Sequence, residues 1–163
     1  MGSGKSTVAS LLHQRNGIEW LDLDTQIETK LQMPIGEIFN TKGEIFFRKT
    51  EHEILKELLA QTNSFVLSVG GGTPCYANNH QLLKAEGLQW VYLKASPDTL
   101  YERIKSETAD RPLLAGKSPE ELKLFIAQHL FERSFFYNQA RYCIATDGKS
   151  PIEIAAEIEN LSA

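Results

Sequence analysis

A chain of 163 residues fits one domain, residues 1–163, and is long enough to bury a hydrophobic core. Its 42% hydrophobic and 23% charged residues are ordinary for a soluble globular protein. The formal net charge of −4 argues against a nucleic-acid-binding protein, and the lack of any apolar run near 18 residues argues against a membrane protein.

The chain opens with Gly-Ser-Gly-Lys-Ser-Thr at residues 2–7, which is the second half of a phosphate-binding P-loop. Glycines let backbone N–H groups surround an anion, and the helix that follows adds the positive end of its dipole. Lys5 can reach the outer phosphates of a nucleotide, and the Ser6 hydroxyl can bind Mg²⁺. The alternative, a frayed Gly/Ser-rich terminus, explains neither the lysine nor the helical spacing of Val8 and Leu12.

Strands and helices are predicted to alternate after this first helix, which Asn16 and Gly17 end. The predicted strands cover residues 18–24, 65–69, 90–93 and 142–145. The predicted helices cover residues 25–33, 34–40, 44–61, 78–86, 98–106, 119–140 and 151–161, the last two opened by capping boxes. This alternation predicts an α/β fold, a three-layer sandwich in which helices flank a parallel β-sheet.

Further expectations concern the burial of one helix and one strand and the mobility of one loop. The helix at 44–61 should bury Ile45, Phe46, Leu55, Leu58 and Leu59, and the apolar strand at 65–69 should be buried on both faces. The polar stretch 107–117 is predicted to be a mobile loop.

Ligands of open parallel sheets bind outside the carboxyl ends of the strands, and three notable groups fall there. They are the P-loop, the pair Asp22 and Asp24, and the glycine run 70–72. Two residues apart on a strand, both carboxylates would point to one face, one toward Mg²⁺ and the other toward a substrate hydroxyl. The alternatives are a solvated strand end, with Asp24 capping the next helix, and a plain flexible glycine turn.

Four arginines could hold anionic groups, because the planar guanidinium binds carboxylate and phosphate oxygens in pairs. Arg48 lies three residues before Glu51, on the same helix face, and the alternative for this pair is a surface ion pair of little energetic value. Arg103, Arg111 and Arg133 come late in the chain, where a lid and its flanking helices would lie. Taken singly, each of these three is also consistent with an ordinary surface residue.

Together these motifs, in order over nearly the whole chain, resemble shikimate kinases. The matching segments are Gly2–Thr7, Leu21–Asp24, Ile38-Phe39 with Gly43-Glu44, Phe47-Arg48-x-x-Glu51, Gly70–Gly72, Arg111–Leu114 and Arg133-x-x-x-Tyr137. Many kinases share the P-loop, whereas the combination of D-x-D, F-R-x-x-E, G-G-G and R-P-L-L is much more specific. The resemblance implies a P-loop kinase fold and ATP-dependent phosphorylation of the shikimate 3-hydroxyl, on the route to chorismate and the aromatic amino acids.

The resemblance also implies roles for individual residues. ATP would contact Gly2, Ser3, Gly4, Lys5, Ser6, Thr7, Arg103, Arg111 and Pro151. The cofactor Mg²⁺ would be held by Ser6 and Asp22. Shikimate would contact Asp24, Arg48, Gly70, Gly71, Gly72 and Arg133, within a substrate-binding helical segment at about 25–62 and under a lid at about 107–117. Catalysis would rest on Lys5, Asp24 and Arg111.

Two other functions are compatible with the P-loop. A kinase of another small hydroxy acid, such as gluconate, or of nucleoside monophosphates would share Gly4-Lys5-Ser6, but would not need two arginines converging on a carboxylate beside a glycine run. A nucleotide-binding remnant without catalysis is the other alternative. Without a signal peptide, and with Cys75 and Cys143 far apart, the sequence further predicts reduced thiols and a monomeric cytoplasmic protein.

The P-loop pattern itself begins upstream of the printed sequence. Its first glycine belongs two places before Met1, and a strand belongs before that glycine. In a doubly wound sheet this strand has a neighbour on each side, so a chain without it would have two unpaired strand edges and a slot in its core. We therefore expect a chain that starts at Met1 to be a poor kinase, and the upstream reading frame to encode a short apolar strand.

Overall fold

The computed structural model of this chain describes residues 2–105 and 116–161. The helices are α1 (Lys5–Asn16), α2 (Leu23–Leu31), α3 (Ile35–Leu59), α4 (Asn79–Leu82), α5 (Pro97–Ile104), α6 (Pro119–Tyr137) and α7 (Pro151–Asn160). The strands are β1 (Glu19–Asp22), β2 (Phe65–Ser68), β3 (Val91–Lys94) and β4 (Tyr142–Ala145), and a short 3₁₀ turn covers Thr73–Cys75. The predicted mixture of helices and parallel strands is confirmed.

The strands form two parallel pairs. β1 pairs with β2 so that Asp22 lies opposite Ser68, and β3 pairs with β4 so that Val91 lies opposite Tyr142. Within residues 2–105 and 116–161 the two pairs share no ladder of hydrogen bonds, so the sheet predicted as continuous is seen as two small sheets.

The end of β2 and the side of β3 line the same cleft, which holds about 760 Å³ of empty space and is partly open to solvent. Val69 and Gly70 lie on one wall, and Trp90, Val91 and Leu93 lie on the other. Phe65, Val66 and Leu67 of β2 are only half-buried, so the prediction of a strand buried on both faces was wrong.

Among the described residues, the hydrophobic core forms three clusters, each between two helices or between helices and strands. The α2–α3 cluster contains Leu23, Ile27, Ile38, Phe47, Ile54, Leu55, Leu58 and Leu83. The cluster of α1, α7, β3 and β4 contains Val8, Leu12, Leu93, Ile144, Ile154 and Ala155. The α5–α6 cluster contains Ala95, Leu100, Ile104, Leu122 and Ile126.

Helix α3 joins the two helices predicted at 34–40 and 44–61 and is kinked between them. Gly43 has φ 82° and ψ 169°, outside the helical region, as its predicted role as a breaker requires. Ile38 is buried before the kink and the next buried residue after it is Phe47, so Ile45 and Phe46 are not among the buried residues of α3. Ile45 is 88% exposed and Phe46 38% exposed, so their prediction as core residues was wrong.

Capping signals in the sequence predicted the starts of the last two helices correctly. Ser118 and Ser150 each form the predicted capping box, with Glu121 and Glu153 as the returning side chains. The helix predicted at 78–86 was too long, since α4 covers only Asn79–Leu82.

Along the two described ranges, no helix has the length and apolar character needed to cross a membrane.

Candidate active site

The P-loop wraps the amino end of α1. Gly4 is the N-cap of this helix, with φ 88°, and Gly2 has φ 66°. A Cβ atom built on Gly2 would lie 2.5 Å from Cγ2 of Ile104, so no larger residue fits there without displacing α5. The first turn of α1 carries no acidic residue, and Lys5 and Ser6 begin the helix. This end of α1 therefore presents backbone N–H groups and a cation to an anion.

Arg103 supports the P-loop from α5. Its Nη1 donates to the carbonyl oxygens of Gly2 at 3.4 Å and Ser3 at 3.3 Å, and its Nη2 donates to the carbonyl oxygen of Thr146 at 3.3 Å. The described contacts thus connect Arg103 to the backbone of the phosphate loop. Its contact with adenine stays a prediction.

The two aspartates do not share a strand. β1 ends at Asp22, which is the N-cap of α2, and its Oδ1 accepts hydrogen bonds from the backbone N–H groups of Asp24 at 3.0 Å and Thr25 at 3.2 Å. Asp24 lies in the first turn of α2. The prediction of a strand through residue 24 was therefore wrong, and it is Asp22, not Asp24, that caps the helix.

Asp24 nevertheless lies beside the glycine run. Burial raises the pKa of its carboxyl group, the charges of Asp22 and Glu51 raise it further, and the charge of Lys5 opposes them. A Cβ atom built on Gly70 would lie 3.7 Å from Oδ1 of Asp24 and 3.8 Å from Oε1 of Glu51. The side chain keeps access to water, so a ligand in the cleft can reach this carboxylate.

Glu51 is a buried carboxylate that fixes Arg48. It is only 1% exposed, and its oxygens accept hydrogen bonds from Nη1 of Arg48 at 2.9 Å and from Oγ1 of Thr73 at 2.7 Å. The alternative of a surface ion pair is therefore wrong. A buried carboxylate with two donors holds its partner firmly, because separating the charges would leave one of them buried and unpaired.

The guanidinium of Arg48 also lies directly on the backbone of Gly72. A Cβ atom built at this glycine would be 2.8 Å from Nη2 and 3.1 Å from Nη1. The third glycine of the run is thus required for a close approach, whereas a plain flexible turn would not need it.

Replacing Gly72 with alanine is expected to displace Arg48 and to weaken substrate binding, while ATP binding stays unchanged. Gly36, whose built Cβ meets nothing within 4 Å, provides the matched control for a glycine-to-alanine change in the same part of the fold. Separate KM values for the two substrates measure the effect. Equal KM values in Gly72→Ala and wild-type protein would contradict it.

Helix α6 brings a second arginine to the glycine run. Arg133 lines the cleft together with Lys5 and Gly71. Oη of Tyr137 donates a hydrogen bond to the carbonyl oxygen of Gly71 at 2.6 Å, and burial raises the pKa of this phenol. This bond joins the end of α6 to the glycine turn.

The charges of Arg133 and Arg48 both act on the thiol of Cys75, in the turn that follows the glycines. Burial raises the pKa of this thiol, and these two charges lower it in part. The convergence of the two guanidinium groups on one ligand stays a prediction.

Comparison with known proteins identifies the family of this chain. A family model for shikimate kinase matches residues 1–162. The chain belongs to the shikimate kinase family. A shikimate kinase of Flavobacterium johnsoniae is 48% identical over 163 residues, covering 100% of this chain and 95% of that protein. One of Flavobacterium psychrophilum is 45% identical over 161 residues, covering 99% and 94%.

Solved structures of shikimate kinases have the same fold. The crystal structure of the Bacteroides thetaiotaomicron enzyme superposes with a TM-score of 0.88 at 31% identity, over 99% of this chain and 93% of that one. The Acinetobacter baumannii enzyme, solved in complex with shikimate, gives a TM-score of 0.85 at 33% identity, over 99% and 87%.

Some residues that the sequence analysis assigned to the site do not lie with the site residues described above. Arg111 and residues 107–115 of the predicted lid lie outside the described residues. Pro151 is exposed at the first turn of α7, and Thr7 is exposed in α1.

The sequence interpretation missed Thr73 and Tyr76, which contact Glu51 and Arg48 respectively. Their position directly after the glycine run was the one signal that could have pointed to them.

Proposed function

We propose that this chain transfers the γ-phosphoryl group of ATP to the 3-hydroxyl of shikimate, forming shikimate 3-phosphate and ADP. The observation that carries this proposal is the position of Asp24. Its carboxylate lies beside Gly70 and Glu51 on one side and within the field of the P-loop lysine, Lys5, on the other. The shikimate bound to the Acinetobacter baumannii relative supports the choice of substrate.

We assign the nucleotide to the P-loop and to the residues around it, within a P-loop kinase fold. The phosphates would contact Gly2, Ser3, Gly4, Lys5, Ser6 and Thr7, with Arg103 and Pro151 closer to adenine and Arg111 closing from the lid. The assignments within residues 2–7 rest on the motif and on the glycine geometry at Gly2 and Gly4, and those of the three later residues rest on the resemblance to shikimate kinases.

We propose that Mg²⁺ accompanies ATP and is held by Ser6 and Asp22. Across residues 2–105 and 116–161, no cluster of three or more His, Cys, Asp or Glu side chains could hold a metal ion. A site of one carboxylate and one hydroxyl fits Mg²⁺, which takes few protein ligands and completes its shell with phosphate oxygens and water. When bound, the ion would neutralise charge on the phosphates.

The proposed reaction is an in-line displacement in which the protein positions the groups and balances their charge. Asp24 would orient the 3-hydroxyl and accept its proton as the hydroxyl oxygen bonds to the γ-phosphorus. The bond from that phosphorus to the β,γ-bridging oxygen would break, and the electron pair would leave with ADP. A carboxylate with a raised pKa is a stronger base for this step.

The carboxylate of shikimate would bind between Arg48 and Arg133, next to Gly71 and Gly72. Paired guanidinium groups match a carboxylate in both charge and shape. A kinase of nucleoside monophosphates would not need two arginines that converge on a carboxylate beside bare glycine backbone.

ADP release on offering shikimate, gluconate and nucleoside monophosphates in turn tests the proposal. We expect turnover with shikimate, and a kcat/KM for the other acceptors lower by at least about 10³, because their anionic group and acceptor hydroxyl would not fit the two arginines and Asp24 at the same time. ATP binding with no turnover on any acceptor would favour the nucleotide-binding remnant. Preference for gluconate would place the chain among kinases of other hydroxy acids.

Arg48→Lys and Arg133→Lys should each raise the KM for shikimate about 10-fold or more, with a far smaller effect on the KM for ATP. Lysine keeps the positive charge but loses the planar fork, so the loss would reflect geometry rather than net charge. Arg141→Lys, at an exposed position just before β4, is the matched control. Equal losses for both substrates would instead assign these arginines to holding the structure together.

The remaining proposals rest on the sequence alone. We propose that residues 1–163 act as one kinase domain, a monomer in the cytoplasm, with a substrate-binding helical segment at about 25–62 and a lid at about 107–117.

A further inference from the structure

An aromatic side chain covers the guanidinium of Arg48. Cζ of Arg48 lies 4.1 Å from the centre of the Tyr76 ring and 5.0 Å from that of Phe47. Both distances fall within the range of cation–π contacts, and the shorter one indicates close stacking. Arg48 retains 18% exposure, so the ring leaves part of the guanidinium accessible to a ligand.

The segment that carries Tyr76 is anchored to α3 through buried polar groups. Oγ1 of Thr73 donates to Glu51, and Nδ2 of Asn79 donates to the carbonyl oxygen of Thr73 at 2.9 Å. Oδ1 of Asn79 lies 2.7 Å from Nδ1 of His52, back on α3. Thr73 and Asn79 are both fully buried, so the turn between them has little freedom to move.

The backbone turns sharply just after the ring. Ala77 has φ 49° and Asn78 has φ 57°, so two consecutive residues other than glycine adopt the left-handed conformation. Alanine reaches this region only at a cost, and such residues persist where the surroundings hold them in place. The polar anchors on both sides supply that restraint and direct the Tyr76 ring onto Arg48.

The contacts around Arg48 differ in what they restrain. Glu51 holds the guanidinium through a hydrogen bond from Nη1, whereas Glu44, more than half exposed, lies 3.4 Å from Nε and adds little. Motion of the guanidinium toward the turn is opposed by the Tyr76 ring. A guanidinium restrained by both contacts loses less conformational freedom when a carboxylate binds.

We propose that Tyr76 is a positioning residue that stacks on Arg48 and preorganises it for the substrate carboxylate. This inference rests on the proposed function, in which Arg48 binds that carboxylate. The aromatic face performs the role, and the phenolic hydroxyl is not required for it. Tyr76 itself would touch neither ATP nor the reacting atoms.

The test compares Tyr76→Leu with Tyr76→Phe in the full chain. Tyr76→Leu should raise the KM for shikimate about three- to tenfold, the range expected for loss of one exposed cation–π contact, with kcat and the KM for ATP within about twofold. Tyr76→Phe should match the wild type, because it keeps the ring. Phe131→Leu, at an 82% exposed position on α6, controls for loss of a surface aromatic ring.

Coupling to Arg48 separates positioning from a general structural effect. In an Arg48→Lys background, Tyr76→Leu should add less than about twofold to the KM for shikimate, because the group that the ring orients is gone. Full additivity of the two substitutions would overturn the inference, as would a loss in Tyr76→Phe equal to that in Tyr76→Leu.

The same set of proteins distinguishes this inference from the proposed function. An impaired Arg48→Lys with an unchanged Tyr76→Leu would overturn the role of Tyr76 alone and leave the proposed function standing. A wild-type protein that does not phosphorylate shikimate would overturn the proposed function, and the inference with it.

Discussion

Asp24→Asn should lower kcat by roughly 10²–10⁴, the usual loss when one positioned acid–base group is removed, and leave ATP binding nearly intact. Asparagine keeps the size of the side chain but cannot accept the proton of the acceptor hydroxyl. The substitution leaves the residues of the P-loop itself unchanged, so the affinity for nucleotide should persist. Steady-state kinetics and calorimetric titration with ATP measure the two effects separately.

Asp98→Asn is the matched control, since Asp98 is an exposed carboxylate in the first turn of α5 just as Asp24 lies in the first turn of α2. It should leave kcat unchanged. An Asp24→Asn variant within about threefold of the wild type would remove Asp24 from the mechanism.

The pH dependence follows from the raised pKa of Asp24. The wild-type rate should fall as pH drops through that pKa, because protonated Asp24 cannot act as a base, and this acidic limb should lie above the ordinary aspartate pKa of 3.8. The folded protein holds this proton more tightly than the unfolded chain does. The contribution of Asp24 to stability is therefore lost as pH rises through the raised pKa, and Asp24→Asn should be at least as stable as the wild type at pH 7.

The second large effect concerns the edges of β2 and β3. A chain that carries an apolar strand of about five residues ahead of Gly2 should be much more stable than one that starts at Met1. Each of these two strands has one partner strand in the described part of the chain. A parallel strand between them would pair with both and bury its apolar side chains against the helices that flank the sheet.

Burying one large aliphatic side chain contributes roughly 1.5–3 kcal/mol, so five contribute on the order of 10 kcal/mol. This is comparable to the whole net stability of a domain, roughly 5–15 kcal/mol. Urea unfolding of both versions gives the difference, and ADP release with shikimate gives the accompanying change in activity. An extension of the same length built from Gly and Ser is the control.

Equal stability and activity of the extended and unextended chains would show that the two strand edges gain nothing from a further partner. A gain of equal size from the Gly/Ser extension would attribute the effect to tethering of the P-loop rather than to the strand.

Local chemistry explains which parts of the fold were predictable. The capping boxes at Ser118 and Ser150 depend on neighbouring residues alone, and they were predicted correctly, as was the strand Tyr142–Ala145. The boundary between β1 and α2 was missed because two aspartates, Asp22 and Asp24, could each cap the helix, and the choice depends on where the pairing with β2 ends.

In the candidate site, too, some features were predictable from the sequence and others were not. Motif spacing pointed to Lys5, Asp24 and the glycine run, but it could not show that Glu51 is buried or that Tyr76 covers Arg48. These contacts join segments that are distant in the chain, across the turn after β2, and no periodicity in the sequence encodes them. The prediction of a core position for Ile45 failed for a related reason, since the kink at Gly43 resets the phase of the helix.

The burial of Glu51 limits how the specificity of this site can change, in evolution or by design. Acceptance of an uncharged substrate would make Arg48 dispensable, yet its loss would leave the buried carboxyl group of Glu51 without its cationic partner, next to the Thr73 hydroxyl. Breaking such a pair destabilises a protein by roughly 3–5 kcal/mol. An altered site must therefore replace Arg48 and Glu51 together, and a variant that changes only one of them should be selected against for its poor folding before its new specificity can be of use.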